Sequence, residues 1–203
     1  MIELLKYSPI AFIFVIVGLL LALSLHEAAH AYVAYYLGDR TAKDEGRLTL
    51  NPFAHLDIFG TLCLIFFKFG WGKPVPVNPR NFINPSIGNF LVAIAGPLTN
   101  IVLAILLAGI IRLIPQGSIA FAIIDAIVYI NILLAFFNLI PIPPLDGSKI
   151  LGLFMSEHAY YELERFGPFI LIAVIFVVFT LPIPIFSSFF NFITIITNWL
   201  TGI

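Results

Sequence analysis

The chain has 203 residues, 61% of them hydrophobic and 10% charged, with a formal net charge of −1. Soluble domains lie near roughly 45–50% apolar and about 25% charged, so this composition belongs to the membrane class. The charge balance argues against nucleic acid or an anionic surface as partner, and the single cysteine, Cys63, excludes a disulfide framework and a cysteine-ligated metal site.

The length suits one domain, residues 1–203, with no room for a folded soluble domain beside its spans. Met1 to Ser8 is a polar lead with Glu3 and Lys6. The N-terminus lacks a cleavable-signal pattern, so the apolar stretch behind it is expected to be retained. Pro9 suits a first helical turn, and Pro9 to Leu37 would measure about 43 Å as a helix, enough to span before Gly38-Asp39 ends it. In its second half stand His26-Glu27-Ala28-Ala29-His30. Four residues apart, His26 and His30 share one helix face. They can share one tetrahedral Zn²⁺, and Glu27 can take a proton from water there. A chance motif or an interfacial helix end would leave these histidines solvated. The scarcity of charge argues against both, because ionisable groups at membrane depth suggest function.

Asp39 to Asp57 is a mixed-charge loop. Leu48-Thr49-Leu50 alternates like a short strand and is closed by Asn51-Pro52. Ile58 to Phe67 is apolar but far shorter than the ~20 residues of a spanning helix, so it is expected to be re-entrant or lodged against the bundle. Phe69-Gly-Trp-Gly72 and Lys73-Pro-Val-Pro-Val-Asn-Pro79 exclude a helix and predict an extended edge at Val75 and Val77. That backbone must line a cavity or the interface, and its free groups suit addition of a peptide strand. Ser86 to Ile111 reads as a span interrupted at Gly96-Pro97-Leu-Thr-Asn100, and Ile119 to Ile140 as another. In Asn138-Leu-Ile-Pro-Ile-Pro-Pro-Leu-Asp-Gly147 the prolines unwind a still apolar chain. Lys149 to Arg165 is polar enough for a surface loop, and Phe166 to Leu181 is apolar and stops at Pro182-Ile-Pro184. Ile185 to Leu200 carries Ser187, Asn191, Thr194 and Asn198 as one polar stripe, facing either the bundle or the interface. The expected fold is an all-α polytopic membrane protein. It has about four to six transmembrane helices and a short re-entrant or extended β segment near the active site.

Lys and Arg set the orientation. Arg40, Lys43, Arg47, Lys68, Lys73, Arg80, Lys149 and Arg165 lie on the side of the motif, against Lys6 and Arg112 on the other. This predicts a multi-pass protein of the cell membrane with its active site toward the cytoplasm.

Zinc needs a third ligand. His158 lies among Glu157, Glu162 and Glu164 in a polar loop and reads as solvated. His55 could cap its turn or face the site, and the role of Asp57 is open. Asp146 is the better candidate: it sits on proline-unwound backbone before Gly147, and a metal partner would offset the burial of its charge. Its alternative is an exposed aspartate capping a helix near Ser148. Four histidines are too few for a di-iron desaturase. A metal transporter would need more acidic groups within its spans than Glu27 and Asp125, and a silent scaffold that binds membrane helices would not need Glu27.

HEAAH in a membrane helix, with NLIPIPPLDG a little over a hundred residues later, resembles the site-2 protease family of intramembrane zinc metalloproteases. GRLTLNPFAHLD, FGWGKPVPVNPRNF and AGPLTN resemble its compact bacterial and archaeal branch. Together these stretches cover about half the chain. The resemblance implies one zinc per chain on His26, His30 and Asp146, with Glu27 as general base. It implies that Asn138 holds the substrate peptide or its oxyanion, although Asn138 is also suited to a helix C-cap. It further implies cleavage of a transmembrane protein substrate within the lipid bilayer. Two departures stand out: no PDZ or CBS domain is expected, and the apolar stretch before Phe69 is shorter than in that branch. The sequence names neither the substrate nor the oligomeric state, a homo-oligomer included.

Overall fold

The structure is a computed structural model. It describes residues 8–67, 70–180 and 184–203; the lead with Glu3 and Lys6, residues Lys68 and Phe69, and the stop at Pro182 lie outside the described residues. Helix α1 runs Pro9–Tyr36, opened by the Ser8 side chain on Ala11 N–H with Pro9 in its first turn. Gly38, at φ +105°, turns the chain out of it. Short helices α2 (Thr41–Asp44) and α3 (Pro52–His55) follow, then α4 (Ile58–Phe67). A 3₁₀ turn at Pro79–Asn81 leads into α5 (Pro85–Ile111), and α6 covers Ile119–Asn138. Asn84 caps α5 through Ile87 N–H, and Ser118 caps α6 through Phe121 N–H. Helices α7 (Ser148–Leu151), α8 (Glu157–Thr180) and α9 (Pro184–Thr201) complete the chain.

Helices α1, α5 and α6 are long and apolar enough to cross a membrane, the three such helices among the described residues. They pack on one another, and α9 lies against α6 and α5. The core of that packing is Ala104, Val128, Ile132 and Ile193. Small residues line the α1 contacts: Ala22, Ala28, Ala31 and Ala34 are all buried. Without a hydrophobic drive between helices in lipid, such residues let backbones approach and gain dispersion contact.

Several expectations meet corrections. Helix α5 is not interrupted at Gly96-Pro97; it runs through Pro97, which removes one ladder hydrogen bond. Neighbouring helices tolerate that defect within a membrane span. Residues 157–165 are not a loop but the start of α8, with Glu157 at the favourable N-terminus and Glu162 paired with Arg165. Leu48-Thr49-Leu50 forms no strand. Leu48 instead packs on Ala31, Ala42 and Val75, and no partner strand lies beside it among the described residues. The extended segment 70–78 carries one isolated antiparallel bridge, Leu56 with Gly72. Val75 packs on α1 and α2, while Val77 joins Ala34, Phe82 and Val92. Helix α4 lodges against this segment: a Cβ on Gly60 would stand 2.1 Å from Trp71 O. On α9, Ser187, Asn191 and Thr194 are exposed; the buried face is Ile193, Thr197 and Thr201.

Candidate metal centre and active site

His26 and His30 lie buried on α1, which packs against α5. Gly96 permits that approach. A Cβ there would lie 2.6 Å from His26 Cε1 and Nε2 and from His30 Nε2. Asp146 arrives from the other end of the chain. Beyond Asn138 the backbone unwinds through a cis Pro143–Pro144 peptide, and Gly147 N–H donates to Asn138 O at 2.6 Å. Gly147 is required by crowding, not by an unusual torsion: its φ is −57°, and a Cβ would meet Leu139 O at 2.1 Å. This turn places Asp146 Oδ2 at 3.0 Å from His26 Nε2 and 3.3 Å from His30 Nε2.

The ring nitrogens facing away have partners. His26 Nδ1 is 2.6 Å from Asn100 Oδ1, and His30 Nδ1 is 2.7 Å from Val92 O. Both partners are acceptors, so each Nδ1 carries the proton and each Nε2 presents a lone pair. Two lone pairs and a carboxylate oxygen then converge on one point. Three acceptors at such distances repel unless a cation lies among them. Ligand atoms held tetrahedrally at about 2.0–2.1 Å from zinc stand roughly 3.3–3.4 Å apart, close to the spacings found. The donor set fits zinc.

Glu27 stands beside this point. His26, Glu27 and His30 each offer a ligand atom within 4.8 Å of the others. One carboxylate oxygen of Glu27 accepts Val75 N–H at 3.0 Å, so the extended segment lies across Glu27. That segment is held from outside: Arg47 Nη2 donates to Lys73 O, Lys73 N–H to His55 O, and Asn78 N–H to Asp39. All this opens on a cleft of about 980 Å³. It is bounded by α1, α5 and α6, by Trp71 to Val77, and by Tyr160, Pro168, Leu171 and Ile175 of α8. Helix α8 rests on the Asp146 loop, with Lys149 paired to Glu164 and Gly167 against Pro143.

Thus His26, Glu27, His30 and Asp146 come together. Asn138 ends α6 on the cleft wall, its Nδ2 donating to Leu134 O. His55 is fully buried inside its own loop, with Nε2 on Thr49 O, and His158 is exposed at the start of α8. Sequence reasoning gave Gly96 and Asn100 no role and passed over Asn131. An asparagine amide in an otherwise apolar span was the available signal, since it must find a partner there.

The profile described as Peptidase family M50 matches residues 107–181. A protein of Bacillus subtilis named "Putative zinc metalloprotease YwhC" is 41% identical over 157 residues, covering 71% of each chain. "Putative zinc metalloprotease Rip2" of Mycolicibacterium smegmatis is 34% identical over 160 residues, 76% of this chain and 60% of that one. A Methanocaldococcus jannaschii protein, "Putative zinc metalloprotease MJ0611", is 39% identical over 72 residues, 36% of this chain and 37% of that one. No solved structure matches the chain. With the HEAAH motif and Asp146 assembled at one point, the chain belongs to peptidase family M50, the site-2 protease family of zinc metalloproteases.

Proposed function

We propose that this metalloprotease is an intramembrane endopeptidase that hydrolyses peptide bonds within or near transmembrane segments of substrate proteins. The observation that carries this reading is the convergence of His26 Nε2, His30 Nε2 and Asp146 Oδ2 beside Glu27, on helices of membrane-spanning length. His26, His30 and Asp146 hold one zinc. The bound ion supplies a Lewis acid that acidifies water and polarises a peptide carbonyl. Glu27 takes the proton of the attacking water and returns it to the leaving amine. Val75 N–H keeps the Glu27 carboxylate in place meanwhile.

A substrate helix hides its carbonyls in its own ladder, so the peptide must unwind before it can react. The extended segment suits a peptide strand laid beside it. Pro74 and Pro76 have no N–H and Val75 N–H is held by Glu27, so the segment offers Val77 N–H and its carbonyls to a peptide. Asn138, on the cleft wall, holds the peptide through its amide.

The bundle has four to six spans, α8 and α9 adding to α1, α5 and α6. The exposed Phe166, Phe169, Phe176, Phe192 and Trp199 support this. The site faces the cytoplasm across the cell membrane. Arg40, Lys43, Arg47, Lys73, Arg80, Lys149 and Arg165 lie at the site's end of the bundle, and Arg112 at the other. The test is zinc content of the purified protein beside cleavage of a synthetic membrane-helix substrate. About one zinc per chain and chelator-sensitive cleavage are expected. A protein that holds no zinc, or cleaves equally well without it, refutes the reading.

A further inference from the structure

Two asparagines lie inside the apolar core, Asn100 behind His26 and Asn131 with no role so far. Asn100 on α5 and Asn131 on α6 are both fully buried. Asn131 Nδ2 donates to Ile127 O at 2.9 Å, and its Oδ1 accepts from Asn100 Nδ2 at 2.9 Å. Asn100 Nδ2 also donates to Ala22 O at 3.2 Å, and its Oδ1 faces His26 Nδ1 at 2.6 Å.

This chain of amides runs in one direction. Ile127 O can only accept, so it takes the NH₂ end of Asn131 and leaves the oxygen for Asn100. Asn100 then meets two acceptors on one side, Asn131 Oδ1 and Ala22 O. Its NH₂ end must lie there and its oxygen must face His26. An oxygen beside Nδ1 demands a proton on Nδ1, which leaves Nε2 with its lone pair toward Asp146. Were Asn100 reversed, its NH₂ would face Nδ1, the imidazole proton would move to Nε2, and the ligand atom would be blocked.

We infer that Asn131 is a positioning residue of the metal centre: through Asn100 it fixes the tautomer of His26 and keeps Nε2 open to the ion. This rests on the metal site proposed above. Asn131 touches neither metal nor substrate. Its effect has to pass through the orientation of one amide, and that makes it separable from packing.

The test is a double-mutant cycle on zinc affinity, measured by chelator competition. Asn131→Leu keeps the branched shape and the number of side-chain heavy atoms and removes both hydrogen bonds; it should weaken zinc binding roughly 10–100-fold, the usual effect of a lost outer partner. Asn100→Asp gives His26 an oxygen whichever way the group turns. In that background Asn131→Leu should change affinity by no more than about twofold. A residue that merely packs would cost the same in both backgrounds, and that result overturns the inference, as does unchanged affinity in the single variant.

A second measurement needs no variant. With four histidines in the chain, ¹⁵N NMR of the metal-free parent at alkaline pH reads the His26 tautomer directly. A proton on Nδ1 is expected; a proton on Nε2 overturns the relay even if a variant fails to fold. A parent that binds no zinc removes the metal reading, while the tautomer still decides the relay.

Discussion

Gly96→Ala offers a direct test of the site's packing. The added methyl would lie 2.6 Å from three imidazole atoms, where ordinary contact begins near 3.4 Å. The rings or the two helices must therefore part by about 0.8 Å. Metal sites tolerate only about ±0.2 Å in ligand distance, so the geometry cannot survive unchanged. Stability behaves differently. Alanine in a helix interior is favoured over glycine by about 1 kcal/mol, while overpacking costs about 1–3 kcal/mol. The net change in melting temperature is small, but zinc affinity should fall by roughly tenfold or more. The assay is zinc competition on purified protein, with Gly109→Ala as control. Gly109 is on the same helix with nothing within 4 Å of its Cβ position, and its substitution should leave zinc untouched. Parent-like zinc affinity in Gly96→Ala would refute the claim that α5 presses on the ligand set.

Glu27→Gln should retain zinc and lose cleavage by roughly 10²–10⁴-fold, read as product formed at equal metal content; residual activity within tenfold of the parent would assign the proton to another group. His26→Ala, His30→Ala or Asp146→Ala should release the zinc, and full retention in all three would sink the ligand assignment. Asn138→Ala should weaken substrate capture by the Glu27→Gln protein, whereas a helix-end role alone would change only the folded fraction. Asp39 is fully buried and accepts from Thr41 N and Oγ1, Asn78 N and Asn81 Nδ2. Burial pushes its carboxyl up, and these hydrogen bonds outweigh that and lower it. The stability it adds is complete above the ordinary carboxylate value of about 3.9 and is lost as pH falls through the lower folded value. Asn at this position accepts fewer bonds, so Asp39→Asn should cost about 1–3 kcal/mol near pH 7, with the melting-temperature gap to the parent closing below about pH 4.

Local rules carried most of the fold. Pro9 suits a helix start, and it does stand in the first turn of α1. Long apolar runs located α1, α5 and α6 to within a few residues. The i,i+4 spacing of His26 and His30 set one face, and a carboxylate after unwound prolines suggested the partner across the cleft. What local rules could not reach was set by tertiary contact. Pro97 looks like a break, yet α5 runs on through it. The charged stretch 157–165 looks like a loop, yet Lys149 and Glu164 join its helix to the Asp146 turn. Asn131 looks like any polar residue in a span until its partner on another helix is known.

The ligands also arrive at different times. His26 and His30 leave the ribosome early, and Asp146 follows 120 positions later. Its loop then leans on α8, through Gly167 against Pro143 and Lys149 against Glu164, so it settles only after still more chain has been made. Under the proposed ligand set, a nascent chain that has already entered the bilayer with its HEAAH helix holds two of three ligands and no competent centre. On the proposed function, a protease of membrane helices would thereby be inert during its own synthesis, when its unfinished spans are the nearest helices to cut.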